Sequence, residues 1–586
     1  MTVFDVLSLI CGLALFLYGM DIMGDSLKRS AGNSLKTILG SMTSNPVKGF
    51  LLGLGVTAVI QSSSATTVMV VGFVNSGTMT LLQAVGVIMG ANVGTAVTSW
   101  LTGLSGLGEG GAAAASFIQW LKPDSWMPIL ALIGICLNMF AKRGKKKDIG
   151  AILLGFAILM VGMSMMSDAV SGLAKDEQFK NILIMFKNPI LGVLAGLVLT
   201  AIVQSSSASV GILQSLTVTG AITFGAAIPI VMGQNIGTCV TALISSVGAN
   251  TNGKRAAVVH LYFNIIGVIV YLALFYLVDS FVDFAFVDQT VNMWGIAAIH
   301  TIFKILNVAL LSPFYKQLAK LSELTVRDKK GLHDTTTLLD ERLIDTPAVA
   351  IERAFQVTGM MADVSTDAIL KAMDLAKNYD SKLADEIRDL EDKADIYEDA
   401  LGSYLVKISG LSLDPHESQQ ITKLLHIIGD YERISDHAVN LVESVEELKD
   451  KKVAFSETAQ NELAVVYRII SDELKLTLDA FKTGNMKSAS KVDPMEEVVD
   501  DLMDAIKLNH IRRVQKNECT IELGFVLSDM LVNFERISDH CSNIAGCLIE
   551  VNQHGTLEMH KNSAMIRSES DFFNRTYKQY SAEYHL

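Results

Sequence analysis

The sequence predicts an all-α, polytopic membrane protein with two inverted-topology repeats that contain broken or re-entrant helices, plus a cytoplasmic tandem three-helix-bundle domain. Three observations predict it. Residues 1–312 are dominated by apolar runs near the roughly 20 residues needed to cross hydrocarbon, whereas residues 348–552 are charged and helically periodic. A polar phrase, Gln61-Ser62-Ser63-Ser64-Ala65, returns as Gln204-Ser205-Ser206-Ser207-Ala208, and Gly90-Ala91-Asn92-Val93-Gly94-Thr95 returns as Gly233-Gln234-Asn235-Ile236-Gly237-Thr238; both lie 143 residues further on. A second duplication, 103 residues apart, joins Tyr431-Glu432-Arg433-Ile434-Ser435-Asp436-His437 to Phe534-Glu535-Arg536-Ile537-Ser538-Asp539-His540.

The apolar half contains runs at 3–23, 80–102, 113–141, 148–168, 222–247, 256–278 and 291–312. The first has neither a basic leader nor an Ala-x-Ala cleavage site, so it reads as a retained membrane helix rather than a signal peptide. The Gln-Ser-Ser-Ser segments, 46–76 and 189–219, each start at Asn-Pro, break into hydroxyls and resume as apolar sequence. Such interruptions fit re-entrant or unwound helices whose freed backbone groups line an internal cavity. If each enters and leaves on one side, the basic connections at Lys28, Arg29 and Lys36, at Lys142 to Lys147, and at Lys254 and Arg255 share one face, expected to be cytoplasmic. The segment with Lys175, Lys180 and Lys187 fits this count least well. Each repeat, 3–141 and 146–284, then crosses an odd number of times, which inverts one against the other, as in secondary transporters.

Composition excludes several functions. The formal net charge is −13 and no basic patch appears, so nucleic acid is not an expected partner. Six scattered cysteines without CxxC spacing argue against structural zinc and a disulfide framework. There is no GxxxxGK[ST] loop and no nucleophile paired with a base, so neither nucleotide-driven transport nor an enzyme is indicated.

Hydroxyls and amides at membrane depth cost free energy unless they bind a ligand or one another. Hydroxyl oxygens suit a small hard cation, and half-helix N-termini offer free N–H groups to an anion. The candidate binding residues are therefore Gln61, Ser62, Ser63, Ser64, Thr66, Gln204, Ser205, Ser206 and Ser207, with Asn92, Thr95, Asn235 and Thr238 in the glycine-rich companion segments, which either pack against the breaks or line the cavity. Asp21, Asp25, His260, His300 and Lys304 rank second. Asp25 shares the repeat offset with Asp168, and both are expected near helix ends.

At these residues the sequence resembles the type II sodium/phosphate cotransporter family. The resemblance covers most of residues 1–312 and implies that the two Gln-Ser-Ser-Ser segments hold phosphate and sodium in a central site worked by alternating access. The second copy departs from the first, with Ser209-Val210 where the first has Thr66-Thr67, so a sodium site is altered or absent on that side.

After Pro313 the composition turns polar, and basic residues from Lys316 to Lys330 place the remainder of the chain in the cytoplasm. A linker, 313–347, leads to six expected helices at 348–377, 381–410, 415–449, 457–484, 494–516 and 519–552, then a polar tail, 553–586, expected to be mobile. The candidate metal ligands Glu391, Asp395, Glu432, Asp436, Glu497, Asp501, Glu535 and Asp539 form four Glu-x-x-x-Asp pairs, each on one helix face. Like charges at that spacing repel, so a metal, Arg433 and Arg536, or solvent must compensate. This region resembles the PhoU family, which implies a regulatory domain that takes metal or a partner protein.

The reading is a multi-pass protein of the cell (inner) membrane that couples inorganic phosphate to sodium. A phosphate exporter and a non-transporting phosphate or metal sensor are the alternatives. Expected partners are phosphate, sodium and membrane lipid, with a cytoplasmic regulatory protein and a second copy of the chain as candidates.

Overall fold

The structure, a computed structural model, describes residues 3–40, 46–106, 123–141, 145–175, 177, 185–327, 338–411, 413, 415–553 and 571–586, with the side chains of all but 31–40, 123–125, 174–175 and 550–553. Contacts divide the chain into two compact units, Met1–Val349 and Ala350–Leu586. Among the described residues every regular element is helical, apart from one bridge between Thr223 and Thr290.

The first unit runs α1 (Val3–Gly40), α2 (Pro46–Ile60), α3 (Ser63–Asn75), α4 (Leu81–Gly94), α5 (Ala96–Gly103), α6 (Pro123–Phe140), α7 (Lys145–Ser171), α8 (Pro189–Val203), α9 (Ser206–Leu216), α10 (Phe224–Gly237), α11 (Cys239–Ser245), α12 (Thr251–Val282), α13 (Met293–Leu311) and α14 (Tyr315–Thr325). The offset of 143 carries α2 onto α8 and α4 onto α10 end for end. Among the described residues six helices are long and apolar enough to cross a membrane, including Val3–Ser30, Lys145–Ser171 and Thr251–Val282. Most of the expected runs fall on such helices; the start of the run at 113–141 lies outside the described residues. The runs at 80–102 and 222–247 are not single helices. Each tightens at Thr95 or Thr238, which keep helical dihedrals (φ −62°, ψ −23° and φ −59°, ψ −28°) while Thr98 N–H bonds back only three residues to Thr95.

Glycines set the helix spacing. Gly53 on α2 faces α4 and Gly90 on α4 faces α2, so closely that a Cβ on Gly90 would fall onto the carbonyl of Phe50. Gly196 and Gly233 repeat the arrangement between α8 and α10, where a Cβ on Gly233 would meet the carbonyl of Val193. A Cβ on Gly94 or Gly237 would likewise meet the Cβ of Thr57 or Thr200, in both cases at 2.7 Å. The Gly-x-Asn-x-Gly-Thr phrase is thus a close-packing surface that backs each broken segment.

The second unit contains α15 (Pro347–Lys377), α16 (Ser381–Ser409), α17 (Pro415–Asp450), α18 (Glu457–Thr483), α19 (Met486–Gln515), α20 (Ile521–Gln553) and α21 (Asp571–Glu583). Helix α19 starts eight residues before the expected boundary because Pro494 is accommodated inside it, buried, rather than ending it. The mobile tail is also not what residues 571–586 form. Tyr577, Tyr580 and Tyr584 fall on one face of α21; Tyr577 Oη donates to Asp501, Tyr584 Oη donates to Asp472 at 2.9 Å, and Arg468 lies 5.0 Å from the Tyr584 ring centre. Three tyrosines at helical spacing were the available signal.

Gly90→Ala and Gly233→Ala are each expected to destabilise the protein by about 1–3 kcal/mol, read as a lower melting temperature in detergent, whereas Gly55→Ala, whose Cβ meets nothing within 4 Å, is expected to be neutral or stabilising. Equal tolerance at all three positions would contradict the close packing.

Candidate functional site

Each Gln-Ser pair makes two consecutive helix ends. Gln61 (φ 60°) and Gln204 (φ 54°) are in the left-handed region that ends a helix, and their N–H groups close the last turns of α2 and α8 onto Thr57 and Thr200. The next residue is extended, Ser62 at φ −143°, ψ 106° and Ser205 at φ −137°, ψ 110°. Its hydroxyl immediately caps a new helix, accepting from Ala65 N–H at 3.1 Å and Ala208 N–H at 3.2 Å. Serine suits this position because its short hydroxyl reaches back to the third N–H without a bulky side chain.

The chain reverses at these breaks. Thr57 Oγ1 donates to Thr66 Oγ1 at 3.0 Å, and Thr200 Oγ1 donates to Ser209 Oγ at 2.8 Å. Nine residues of unbroken helix would separate such groups by about 13 Å along the axis. The broken segments are therefore re-entrant hairpins. Ser209 makes the same bond as Thr66, so the second copy keeps its pinning hydroxyl; the real difference is Val210, which lacks the hydroxyl that Thr67 donates to the Ser63 carbonyl at 2.8 Å.

Both hairpin tips open into one cavity of about 470 Å3. It is lined by Gln61, Ser62, Ser63 and Ser64 from the first repeat, Gln204, Ser205, Ser206 and Ser207 from the second, and Tyr18, Asp21, Asp25 and Lys28 among the α1 residues. The structure thus brings eight of the predicted binding residues together. Thr66, Asn92, Thr95, Asn235 and Thr238 are not on the cavity wall. Their side chains bond within the hairpins or to carbonyls one turn back, as Asn92 does to Ile88 at 3.3 Å and Asn235 to Val231 at 2.8 Å. Asp21 and Asp25, ranked second from the sequence, reach the cavity wall because α1 continues to Gly40 and they sit mid-helix beside the tips. Asp168, the counterpart of Asp25, is exposed and does not line the cavity.

The arrangement suits a pair of opposite charges. Two helix N-termini would face an anion placed there, and Lys28, 3.1 Å from Asp25, adds a cationic group. Asp21 and Asp25 would repel an anion unless a cation sits between. The two tips differ in one respect. Gln61 is buried and its Oε1 accepts from Thr98 Oγ1 at 2.8 Å, whereas Gln204 is exposed and the corresponding Thr241 hydroxyl is buried without a partner.

In the second unit the carboxylate motifs divide. Glu391 and Asp395 on α16 and Asp436 on α17 place carboxylate oxygens within 4.8 Å of one another, a cluster that could hold a metal ion. Beside them burial, then Asp436 and Asp395, push the Glu432 carboxyl up to about 7, and burial with the neighbouring acids also raises Glu391 and Asp395. The second set is occupied by other partners: Asp501 by Tyr577, Glu535 by Lys507 at 3.3 Å and Asp539 by Arg536 at 3.1 Å. His437 and His540 turn away, to Asn533 at 2.7 Å and Asp430 at 2.9 Å.

The Na+/Pi-cotransporter family matches residues 15–168 and again 158–296, and the PhoU domain matches 359–445 and 464–548. YqeW of Bacillus subtilis strain 168, described as uncharacterized, is 30% identical over 315 residues, 54% of this chain and 96% of its own length. A protein of Escherichia coli strain K12, named "Putative inorganic phosphate export protein YjbB", is 24% identical over 93% of this chain and 97% of its own. Sodium-dependent phosphate transport protein 2A of Ovis aries is 32% identical over 132 residues, 21% of each chain. Duplicated hairpins that meet at one cavity, followed by paired PhoU matches, make this multi-pass membrane chain a member of the Na+/Pi-cotransporter family.

Proposed function

We propose that the chain carries inorganic phosphate across the cell (inner) membrane, coupled to sodium, by alternating access, under control of a cytoplasmic PhoU-like unit. The observation that carries this reading is the convergence of Ser62 to Ser64 and Ser205 to Ser207 on one cavity. Two half-helix N-termini would bind phosphate, while hydroxyls and the Asp21 and Asp25 carboxylates would hold sodium beside it and neutralise the repulsion. The unequal states of Gln61 and Gln204 support alternating access, since inverted repeats exchange their conformations as the site changes sides. Lys187, one of the three lysines that strain the charge count, pairs with Asp288 at 2.7 Å, which supports the basic connections marking the cytoplasmic face. Export is the second reading, favoured by the name of the YjbB relative that spans nearly the whole chain. A coupled carrier runs either way, according to its gradients.

Control has a candidate route within the first unit. Asn75, the last residue of α3, donates to Asp340 of the linker at 2.7 Å and accepts from Asn250 N–H at 2.6 Å, and Leu343 packs over Gly72. Helix α3 therefore has Ser63 at the cavity and its other end clamped by the segment that leads into α15. The acidic cluster of Glu391, Asp395 and Asp436 would take a divalent cation as the unit's signal or structural ion.

Ser63→Ala and Ser206→Ala are each expected to weaken phosphate uptake by about ten- to a hundredfold, the loss of one hydrogen bond to a charged ligand, in proteoliposomes under an imposed sodium gradient. Normal kinetics in both would remove the tips from the site, and wild-type flux that ignores sodium would reject the coupling. Asp340→Ala should speed amide hydrogen exchange at the α3 terminus and change the flux; no change in either rejects the clamp. Elemental analysis of the full chain should find a metal that Asp436→Ala loses, and an empty wild-type protein purified with metal present rejects that site. A raised carboxyl costs the folded state stability as pH climbs from the unfolded value through about 7. In metal-free protein Glu432→Gln should therefore raise the melting temperature at about pH 8 and have no effect near pH 4; an equal gain at both would refute the burial.

A further inference from the structure

Lys304 carries a charge that the cavity does not use. It lies on α13, the membrane helix that comes after the two repeats, is 3% exposed, and donates to the backbone carbonyl of Asn92 at 2.7 Å. No described carboxylate pairs with it, and the titratable side chains close enough to feel its charge are Cys239, His260 and His300. His300, one turn earlier on the same helix, bonds Ser99 through Nδ1 at 2.9 Å and leaves Nε2 unpartnered, while neither ring nitrogen of His260 has a partner. The surroundings therefore offer the ammonium no counter-ion.

What they offer is a helix end. Asn92 lies in the last turn of α4, which stops at Gly94, and a half-helix C-terminus with its carbonyls outward is where transporters of this architecture bind small cations. Among the described residues no lysine or arginine bonds the corresponding carbonyl in the second repeat, Asn235, which accepts instead from the Cys239 thiol at 3.8 Å. The asymmetry lies in the ligand, since α4 and α10 correspond end for end.

We propose that Lys304 is a tethered cation: its ammonium occupies, at the carbonyl end of α4, the position that a sodium ion would otherwise fill in the first repeat. The chain then couples phosphate to one sodium fewer than two equivalent repeats would bind. The count rests on the sodium-coupled reading above; the occupancy does not.

The test uses the full chain with Lys304→Met and Lys304→Arg. Removing the charge should open the position to an alkali cation, so flux through Lys304→Met should depend on sodium with a steepness greater by about one ion, and added sodium or lithium should raise its melting temperature more than that of wild type. Lys304→Arg keeps the charge and should behave as wild type in both. Identical sodium steepness and identical cation-induced melting shifts in Lys304→Met and wild type overturn the proposal and leave Lys304 as a structural pin. If Lys304→Met does not fold in low sodium, high sodium or lithium should recover it; no recovery, with Lys304→Arg folded, also overturns it. Wild-type flux that ignores sodium rejects the coupling alone, and the melting shifts still decide Lys304.

Discussion

Backbone groups inside a membrane must be bonded within the protein or to something the protein binds, and the two breaks at Gln61 and Gln204 are where this chain meets that requirement by turning back on itself. Each break consumes a left-handed glutamine and an extended serine. In exchange each leaves one fresh helix N-terminus with unbonded N–H groups, and the two are aimed from opposite repeats into one cavity. The close glycine contacts between α2 and α4, and between α8 and α10, hold the hairpins against a rigid partner. The threonine pairs keep them folded back. Removing the breaks would leave ordinary spanning helices and no polar centre.

The repeat is symmetric in backbone and unequal in what it bonds. Thr98 holds Gln61 while Thr241 waits without a partner, and an ammonium faces Asn92 where a thiol faces Asn235. The second unit shows the same pattern. Its two Glu-x-x-x-Asp sets are alike in sequence, yet one gathers its carboxylates and the other is covered by Lys507, Arg536 and the C-terminal helix. In both halves the two copies of a duplicated scaffold are bonded differently.

Much of the fold was legible because the signals were local and doubled. Asn-Pro starts, hydroxyl breaks and helical periodicity depend on near neighbours, and a second copy at a constant offset separates them from coincidence. The cavity tips were readable for the same reason. The α1 wall was not, since Asp25 looks terminal unless one knows that α1 runs on to Gly40. For the companion asparagines and threonines spacing alone left open whether they pack against the breaks or line the cavity, because a helix can satisfy such side chains from its own carbonyls. The inequality of the carboxylate sets was invisible because it depends on a tyrosine 76 residues away.

The central claim is that one anion bridges both hairpin tips. A structure determined with phosphate and sodium present tests it most directly. Tetrahedral density is predicted within hydrogen-bonding distance of both Ser63 or Ser64 and Ser206 or Ser207, with a cation beside it toward Asp21 and Asp25. An anion bound to one repeat alone, or seated at Lys304 instead, would contradict it.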